Sequence, residues 1–307
     1  MTILLAEDSS FYQRMISEHL RSWGFDFVSA RDGKEAWKFL SQQNAPRLAL
    51  LDWVLPEIEG IEICRRLRTR SEETPYTYTV MLTAKSQKQE MLEAMDAGAD
   101  DFLLKPFDPP ELKARLLVGK RIVELQQKLV SANEALHFSA THDFLTRLWN
   151  RAEILEFLRR EMVRGRRDGR PVGIILGDVD RFKRINDTFG HQTGDVVLQE
   201  VGRRLFRAVR EYDGVGRYGG EEFLLVLPGC DLTTTIRRAN ELRSALSSQA
   251  ILSGAGPMEV TISMGVAVPE AGENVEAVLS RADIALYDAK NAGRNQVRSS
   301  MERALVS

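Results

Sequence analysis

Short apolar segments that each end in a polar side chain recur along the first 117 residues, and they constrain the fold more than any other feature. The segments cover residues 3–6, 48–51, 79–82 and 101–104, with amphipathic helical stretches between them. This βαβ alternation is typical of a parallel sheet covered by helices on both faces. In such sheets the reactive groups collect at the carboxyl ends of the strands. We therefore expect a doubly wound, five-stranded parallel α/β domain.

Polar side chains that suit phosphoryl chemistry follow these segments. Glu7 and Asp8 follow the first, and Asp52, Thr83 and Lys105 follow later ones. Three carboxylates can hold Mg²⁺ together with waters, and a lysine offsets charge on a transferring phosphoryl group. Asp52 would then be the nucleophile that forms an acyl phosphate, and Thr83 would hydrogen-bond the phosphoryl group. The alternative is that each carboxylate merely caps a helix, as Asp8 could.

A second acidic motif lies at residues 217–223, Arg-Tyr-Gly-Gly-Glu-Glu-Phe, with apolar runs on both sides. Two glycines allow a tight hairpin that approaches a phosphate closely, and Glu221 with Glu222 suits a hard divalent cation. Another buried-strand run ends in Asp178, which we expect beside Glu221 on a neighbouring strand. Lys183 and the start of the following helix favour a triphosphate. Alone, the motif would also fit an ordinary solvated hairpin.

The choice of base can be argued from Asn186 and Asp195. Guanine presents two adjacent donors with an acceptor beside them, so a carboxylate and a carboxamide complement its edge. Unpaired polar groups in such a pocket would penalise adenine. The alternative is that both residues are turn or cap residues.

An apolar heptad pattern with spacings of 4, 3, 4, 3 and 4 marks a helical connector at residues 118–142. We call these side chains the heptad stripe: Val118, Ile122, Leu125, Leu129, Ala132 and Leu136. The stripe indicates a helix that continues the preceding one and is compatible with a parallel two-stranded stalk, the arrangement we expect. A single amphipathic helix on a domain surface is the alternative.

Composition restricts the class of protein. The chain has 307 residues, enough for two domains, and is 43% hydrophobic and 28% charged. Its net charge of −2 gives no footprint for nucleic acid or an anionic membrane. Only two cysteines occur, and neither a membrane span nor a signal peptide is evident. A cytoplasmic location is expected.

Residues 1–117 resemble a response regulator receiver domain over essentially their whole length. The resemblance implies that Asp52 accepts a phosphoryl group from a sensor histidine kinase, supported by Thr83 and Lys105. The family's aromatic switch position falls on Phe102, which lacks a hydroxyl. The implied Mg²⁺ or Mn²⁺ ligands are Glu7, Asp8, Asp52 and the carbonyl of Val54.

Residues 143–298 resemble the GGDEF family of diguanylate cyclases, in the Gly-Gly-Glu-Glu-Phe form of its signature, which implies an α+β nucleotidyl-cyclase-like fold and leaves 299–307 as a tail. The implied Mg²⁺ or Mn²⁺ ligands are Asp178, Glu221 and the carbonyl of Val179, with Glu222 assisting in metal binding or proton removal. The implied GTP contacts are Asn186 and Asp195 to guanine, and Phe182, Lys183, Lys290 and Arg294 to phosphates. We expect Lys290 and Arg294, four residues apart, on one helix face.

Arg210 and Asp213 match the family's inhibitory product-binding motif, Arg-x-x-Asp, in sequence and in spacing from the glycine pair. The alternative is a surface ion pair at a helix end. The family's second product-binding arginine aligns with Glu241, and substitution by a nearby arginine is left open. Together, the resemblances imply a phosphorylation-regulated homodimer that condenses two GTP into cyclic di-GMP, its product and feedback inhibitor.

Overall fold

The computed structural model describes residues 1–42, 44–70, 74–84 and 88–300, which form two compact units that divide after Glu134. The first unit contains strands β1 (Thr2–Ala6), β2 (Asp26–Ala30), β3 (Leu48–Asp52), β4 (Tyr78–Thr83) and β5 (Asp101–Leu104). Its helices are α1 (Ser10–Ser22), α2 (Gly33–Leu40), α3 (Gly60–Arg68), α4 (Lys88–Asp96) and the beginning of α5 (Pro109–Thr141).

The five strands of the first unit form one parallel sheet in the order β2-β1-β3-β4-β5. All five residues of β3 are buried, as expected for a central strand covered on both faces. One apolar cluster packs on each face of the sheet. The predicted doubly wound parallel domain is therefore confirmed, and its strands place their carboxyl ends at one edge.

Helix α5 runs without a break from Pro109 to Thr141, so the predicted connector continues the last helix of the first unit. Its buried residues are Leu112, Leu116, Gly119 and Val123. Gly119 allows a close approach, because a Cβ there would lie 2.6 Å from the Tyr78 ring. The heptad stripe lies elsewhere on the helix and is exposed, with Leu129 66% and Leu136 69% accessible.

The second unit contains strands β6 (Val172–Val179), β7 (Gly214–Arg217), β8 (Glu222–Pro228), β9 (Ile251–Ser253), β10 (Gly256–Met258), β11 (Ile262–Ala267) and β12 (Val297–Ser299). Its remaining helices are α6 (Arg151–Asp168), α7 (Phe182–Phe189), α8 (His191–Ala208), α9 (Leu232–Ser247) and α10 (Val275–Asn291).

A five-stranded sheet in the order β12-β11-β6-β8-β7 forms the centre of this unit, and β9 with β10 makes a separate two-stranded ribbon. The pairs β6–β8, β7–β8 and β6–β11 are antiparallel, which gives the expected α+β class. One apolar cluster includes residues of α8 and α9, and another includes residues of α6 and α10. Strand β6, buried along all eight residues, is the central strand that carries Asp178.

Side-chain caps fix where the helices of this unit begin. Asn150, Asp231 and Asn274 each accept a hydrogen bond from the backbone N–H three residues later, at α6, α9 and α10. Strand β12 extends to Ser299, and the Ser300 N–H donates to the Val266 carbonyl at 3.0 Å. The rest of the tail, 301–307, lies outside the described residues. Among the described residues, no helix is long and apolar enough to cross a membrane.

Candidate functional site

Three carboxylates meet at the carboxyl edge of the parallel sheet. Glu7, Asp8 and Asp52 each place one oxygen within 4.8 Å of the others. Glu7 is fully buried and Asp52 is 8% exposed. Capping does not explain Asp8, because the N-cap of α1 is Ser9, whose side chain makes no capping bond. This donor set, made only of oxygens, suits Mg²⁺ or Mn²⁺.

Lys105 joins this cluster from the end of β5. Its ammonium nitrogen lies 2.7 Å from Glu7 Oε2 and 2.8 Å from Asp52 Oδ2. Burial raises the pKa of Glu7 to about 7, against the opposing hydrogen bond from Lys105. Burial acts to lower the pKa of Lys105, but its bonds to Asp52 and Glu7 outweigh burial and raise it. The site therefore gathers more negative charge than one lysine compensates.

The other receiver positions lie around the same edge. Thr83 is buried at the end of β4, and Asp52 ends the adjacent β3. Val54 is 61% exposed just beyond Asp52. Phe102 is half-buried on β5, and the Arg115 guanidinium lies 5.9 Å from its ring centre. The phenyl ring therefore makes a cation–π contact, where a tyrosine could also hydrogen-bond.

The predicted acidic hairpin is present in the second unit. Strands β7 and β8 pair in antiparallel register, and the turn between them contains Gly219, Gly220 and Glu221. Asp178 on β6 is the direct cross-strand partner of Glu222. The Val179 N–H donates to the Glu221 carbonyl at 3.2 Å. The two sequence motifs therefore meet at one sheet edge, which argues against an unrelated solvated hairpin.

Asp178 has a strongly raised carboxyl pKa at this edge of the sheet. Burial raises its pKa to about 6, the Lys290 hydrogen bond opposes the rise, and the charges of Glu221 and Glu222 add to it. Lys290 Nζ lies 2.7 Å from Asp178 Oδ2. The Lys290 ammonium therefore offsets part of the negative charge of Asp178, Glu221 and Glu222. A divalent ion bound among these carboxylates would reduce their mutual repulsion further.

Asn186 lies against the first turn of α8. A Cβ at Gly194 would stand 1.9 Å from Asn186 Oδ1, so only glycine leaves room for that side chain. Within the described part of the chain, Asn186 Oδ1 is buried without a hydrogen-bond partner. Asp195 is the next residue, exposed within α8, and the N-cap of that helix is Gly190. Neither side chain acts as a cap, so the capping alternative fails.

The phosphate-binding candidates lie near two helix ends. Phe182 begins α7 and is 8% exposed, while Lys183 is exposed beside it. The expectation that Lys290 and Arg294 share a helix face is wrong. Helix α10 ends at Asn291, and Arg294 has a left-handed φ of 63° beyond Gly293. Gly293 stops the helix, and the Arg294 N–H turns back to the Ala289 carbonyl at 3.1 Å.

Arg210 and Asp213 lie in the loop between α8 and β7. Asp213 Oδ2 accepts the Arg210 backbone N–H at 3.0 Å, while the Arg210 side chain is exposed and donates to Tyr212 Oη. Their side chains therefore do not form the simple ion pair of the alternative interpretation. Among the described residues, Asp213 Oδ1 is buried without a partner. Glu241 Oε2 lies 2.7 Å from the Arg238 guanidinium, so this neighbouring arginine is already paired with a carboxylate.

Sequence reasoning missed two polar clusters beside the site. Asp180, 8% exposed, binds two hydroxyls and the Asn295 N–H. Arg217 donates to the Gly220 carbonyl at 2.7 Å and lies 3.2 Å from Asp143. Asp180 lies two residues after Asp178 and Arg217 begins the 217–223 motif, but Asn295 lies 115 residues from Asp180 and Asp143 lies 74 residues from Arg217, beyond the reach of local spacing.

A parallel domain with a carboxylate cluster at its carboxyl edge is followed by an α+β domain with a carboxylate-bearing hairpin. These features define the class of protein as a receiver domain joined to an α+β output domain. The sequence profile described as "Diguanylate cyclase, GGDEF domain" matches residues 140–296, and "Response regulator receiver domain" matches residues 3–117. The chain belongs to the GGDEF diguanylate cyclase family and carries a response regulator receiver domain.

Individual relatives agree with this assignment. Response regulator PleD of Caulobacter vibrioides is 35% identical over 256 residues, 81% of this chain and 56% of PleD. Diguanylate cyclase DgcP of Pseudomonas aeruginosa is 41% identical over 158 residues, 52% of this chain and 24% of DgcP. Among solved structures, the coiled coil and GGDEF domain of DgcB from Caulobacter crescentus, in complex with c-di-GMP, is similar to this chain with a TM-score of 0.55 and 33% sequence identity. The match covers 61% of this chain and 98% of the DgcB chain. The chain thus spans little more than half of PleD and about a quarter of DgcP.

Proposed function

We propose that this chain is a diguanylate cyclase, which condenses two GTP into cyclic di-GMP and two pyrophosphates. The observation that carries the proposal is the meeting of Asp178, Val179 and Glu221 at one sheet edge. The unpartnered Asn186 carboxamide oxygen, beside Gly194 and Asp195, supports guanine as the base. A buried polar atom of this kind costs free energy unless a ligand satisfies it.

The reaction forms two equivalent phosphodiester bonds. The 3′-oxygen of each GTP bonds to the α-phosphorus of the other, the bond to the pyrophosphate leaving group breaks, and the hydroxyl proton is released. Asn186 and Asp195 would hold the guanine edge. Lys183, Lys290, Arg294 and the backbone at Phe182 would hold the triphosphate, at the N-terminal end of α7. Glu222 would assist in metal binding or proton removal.

The residues present fit a divalent cation in both domains. Asp178, Glu221 and the Val179 carbonyl would hold Mg²⁺ or Mn²⁺ in the cyclase domain, and Glu7, Asp8, Asp52 and the Val54 carbonyl in the receiver domain. Such an ion stabilises negative charge on the phosphoryl group and lowers the pKa of a bound hydroxyl.

A homodimer is part of the proposal, because each GTP must meet a second one held by another copy of the domain. The exposed heptad stripe on α5 supports a parallel two-stranded stalk. The corresponding organisation is a receiver at 1–117, a connector at 118–142 and a cyclase domain at 143–298.

Regulation would begin at Asp52, as phosphoacceptor for a sensor histidine kinase, with Thr83, Lys105 and Phe102 responding to the phosphoryl group. The buried position of Asp52 beside Lys105 and Glu7 supports this role. Product inhibition would act through the exposed Arg210 guanidinium and the unpartnered Asp213 oxygen. Because Glu241 replaces the family's second arginine, the lock between two cyclase domains would be weak or absent.

The test is product formation from GTP and Mg²⁺, resolved by chromatography, with Glu221→Gln and the exposed-site control Glu211→Gln. We expect cyclic di-GMP from the parent and from Glu211→Gln, and at least a hundredfold less from Glu221→Gln. Equal turnover by Glu221→Gln would refute the metal assignment. A folded parent that binds cyclic di-GMP but forms none would be a receptor instead of an enzyme.

A further inference from the structure

Asp180, the second carboxylate of the segment Asp178-Val179-Asp180, holds the turn that follows the last helix. Its Oδ1 accepts from Ser263 Oγ at 2.7 Å. Its Oδ2 accepts from Thr261 Oγ1 at 2.7 Å and from the Asn295 backbone N–H at 3.0 Å. Three donors therefore converge on a carboxylate that is 8% exposed. Both carboxylate oxygens of Asp180 are therefore occupied by donors of the protein.

The turn that Asp180 holds has an unusual backbone. Arg294 and Asn295 have φ angles of 63° and 45°, so two consecutive residues with side chains are left-handed. Such residues persist only where surrounding contacts determine their conformation. The second contact comes from Arg243, whose guanidinium donates to the Asn295 carbonyl at 3.2 Å and to its Oδ1 at 2.8 Å. Asp180 and Arg243 thus clasp the same residue.

The clasped turn carries Arg294, and within the described part of the chain its exposed guanidinium forms no hydrogen bond or ion pair. Four residues earlier, Lys290 binds Asp178 at 2.7 Å. The end of α10 is therefore attached twice to one three-residue segment, through Asp178 and through Asp180. This double attachment fixes both candidate phosphate ligands relative to the carboxylate edge.

We propose that Asp180 is a positioning residue that acts through Arg294: it holds the 294–295 turn so that the guanidinium meets the triphosphate of GTP. The inference rests on the proposed function, because it assigns Arg294 to the nucleotide. Asp180 itself does not touch the substrate. Its effect therefore depends on the presence of Arg294 and of the β- and γ-phosphates.

The test measures binding of a non-reactive α,β-methylene analogue of GTP, with Mg²⁺, by calorimetry on the full chain. Asp180→Asn keeps the volume but removes the negative charge and leaves one acceptor oxygen where three donors now share two. We expect about tenfold weaker binding, because charge-assisted contacts to phosphate are lost. In an Arg294→Ala background the same substitution should change affinity less than twofold, and GMP affinity should not depend on Asp180 in either background.

Two further variants separate positioning from general support. Ser263→Ala removes one hydroxyl from Asp180 but leaves the Asn295 contact, so it should lower Tm without changing affinity for the analogue. Arg243→Gln opens the other side of the clasp, and should weaken binding only when Arg294 is present. This variant tests the clasp even if Asp180→Asn does not fold.

An equal loss of affinity with and without Arg294 would overturn the proposal, as would unchanged binding by a folded Asp180→Asn. A parallel loss of Mn²⁺ affinity would instead make Asp180 a metal ligand and would also overturn it. If the parent binds the analogue but forms no cyclic product, the proposed cyclase activity is rejected, and the binding measurements still test the positioning role of Asp180. If the parent binds no guanosine triphosphate, both fall.

Discussion

Replacing Gly194 by alanine should weaken guanine recognition while leaving the domain folded. The new Cβ would lie 1.9 Å from Asn186 Oδ1 and 3.1 Å from Phe182 Cζ. Real Cβ contacts almost never fall below 3.0 Å, so the carboxamide must move by about 1 Å, which exceeds the roughly 0.5 Å tolerance of a binding site. The atom in the way is the end of a flexible side chain, and the backbone can stay in place.

The expected magnitudes separate binding from folding. Loss of the guanine hydrogen bonds costs about 1–3 kcal/mol, which corresponds to roughly a 5- to 150-fold rise in KM for GTP. Alanine is favoured over glycine inside a helix by about 0.5–1 kcal/mol, so Tm should be unchanged or slightly higher. A control is Gly254→Ala, where a Cβ would meet no atom within 4 Å.

The assay is the GTP dependence of cyclic di-GMP formation, with thermal unfolding measured on the same samples. Asn186→Ala should add little to Gly194→Ala, because both remove the same contact. An unchanged KM in Gly194→Ala would refute the placement of guanine beside Asn186. A large fall in Tm would refute the argument that Asn186 alone must move.

Three other predictions concern stability, thiol chemistry and association. The Arg203 hydrogen bond, opposed by burial and aided by Arg204, lowers the pKa of Glu200 from 4.5 to about 2; Glu200→Gln should therefore destabilise the protein by about 1 kcal/mol at pH 7. A lowered folded-state pKa stabilises above the unfolded value, so this difference should shrink as pH falls from 4.5 towards 2 in acid titrations of unfolding. Burial raises the pKa of the Cys64 thiol to about 11 and also raises the pKa of the Cys230 thiol. A thiol reagent should therefore modify neither cysteine until the protein unfolds. Fast labelling of the native chain would contradict this. Leu129→Lys in the exposed heptad stripe should weaken self-association at least tenfold in sedimentation experiments without lowering Tm, and unchanged association would reject the stalk.

The carboxyl-edge groups were predictable because their chemistry coincides with strand ends. Glu7, Asp52 and Lys105 each follow an apolar run, and a parallel sheet brings such ends together without knowledge of any long-range contact. The meeting of Asp178 with the 217–223 hairpin was likewise predictable, since both motifs end or begin buried strands. Fold class and the position of both acidic sites could therefore be read from local patterns.

The contacts that hold the site together depend on tertiary packing, and local sequence patterns could not predict them. Asp180 binds a backbone N–H 115 residues away. Arg294 was expected on a helix, but Gly293 ends α10 and a left-handed turn follows. On α5, Val123 is buried although it lies outside the heptad stripe. One helix with two apolar faces obscures the periodicity that sequence reasoning uses.

The most direct test of the central claim is the stoichiometry of product formation. Purified chain is incubated with GTP and Mg²⁺, with and without beryllofluoride, and cyclic di-GMP and pyrophosphate are quantified together. We predict two pyrophosphates for each cyclic di-GMP, with a higher rate when beryllofluoride occupies the Asp52 site and no stimulation in Asp52→Ala. A folded chain that releases no pyrophosphate and no cyclic di-GMP under either condition would contradict it.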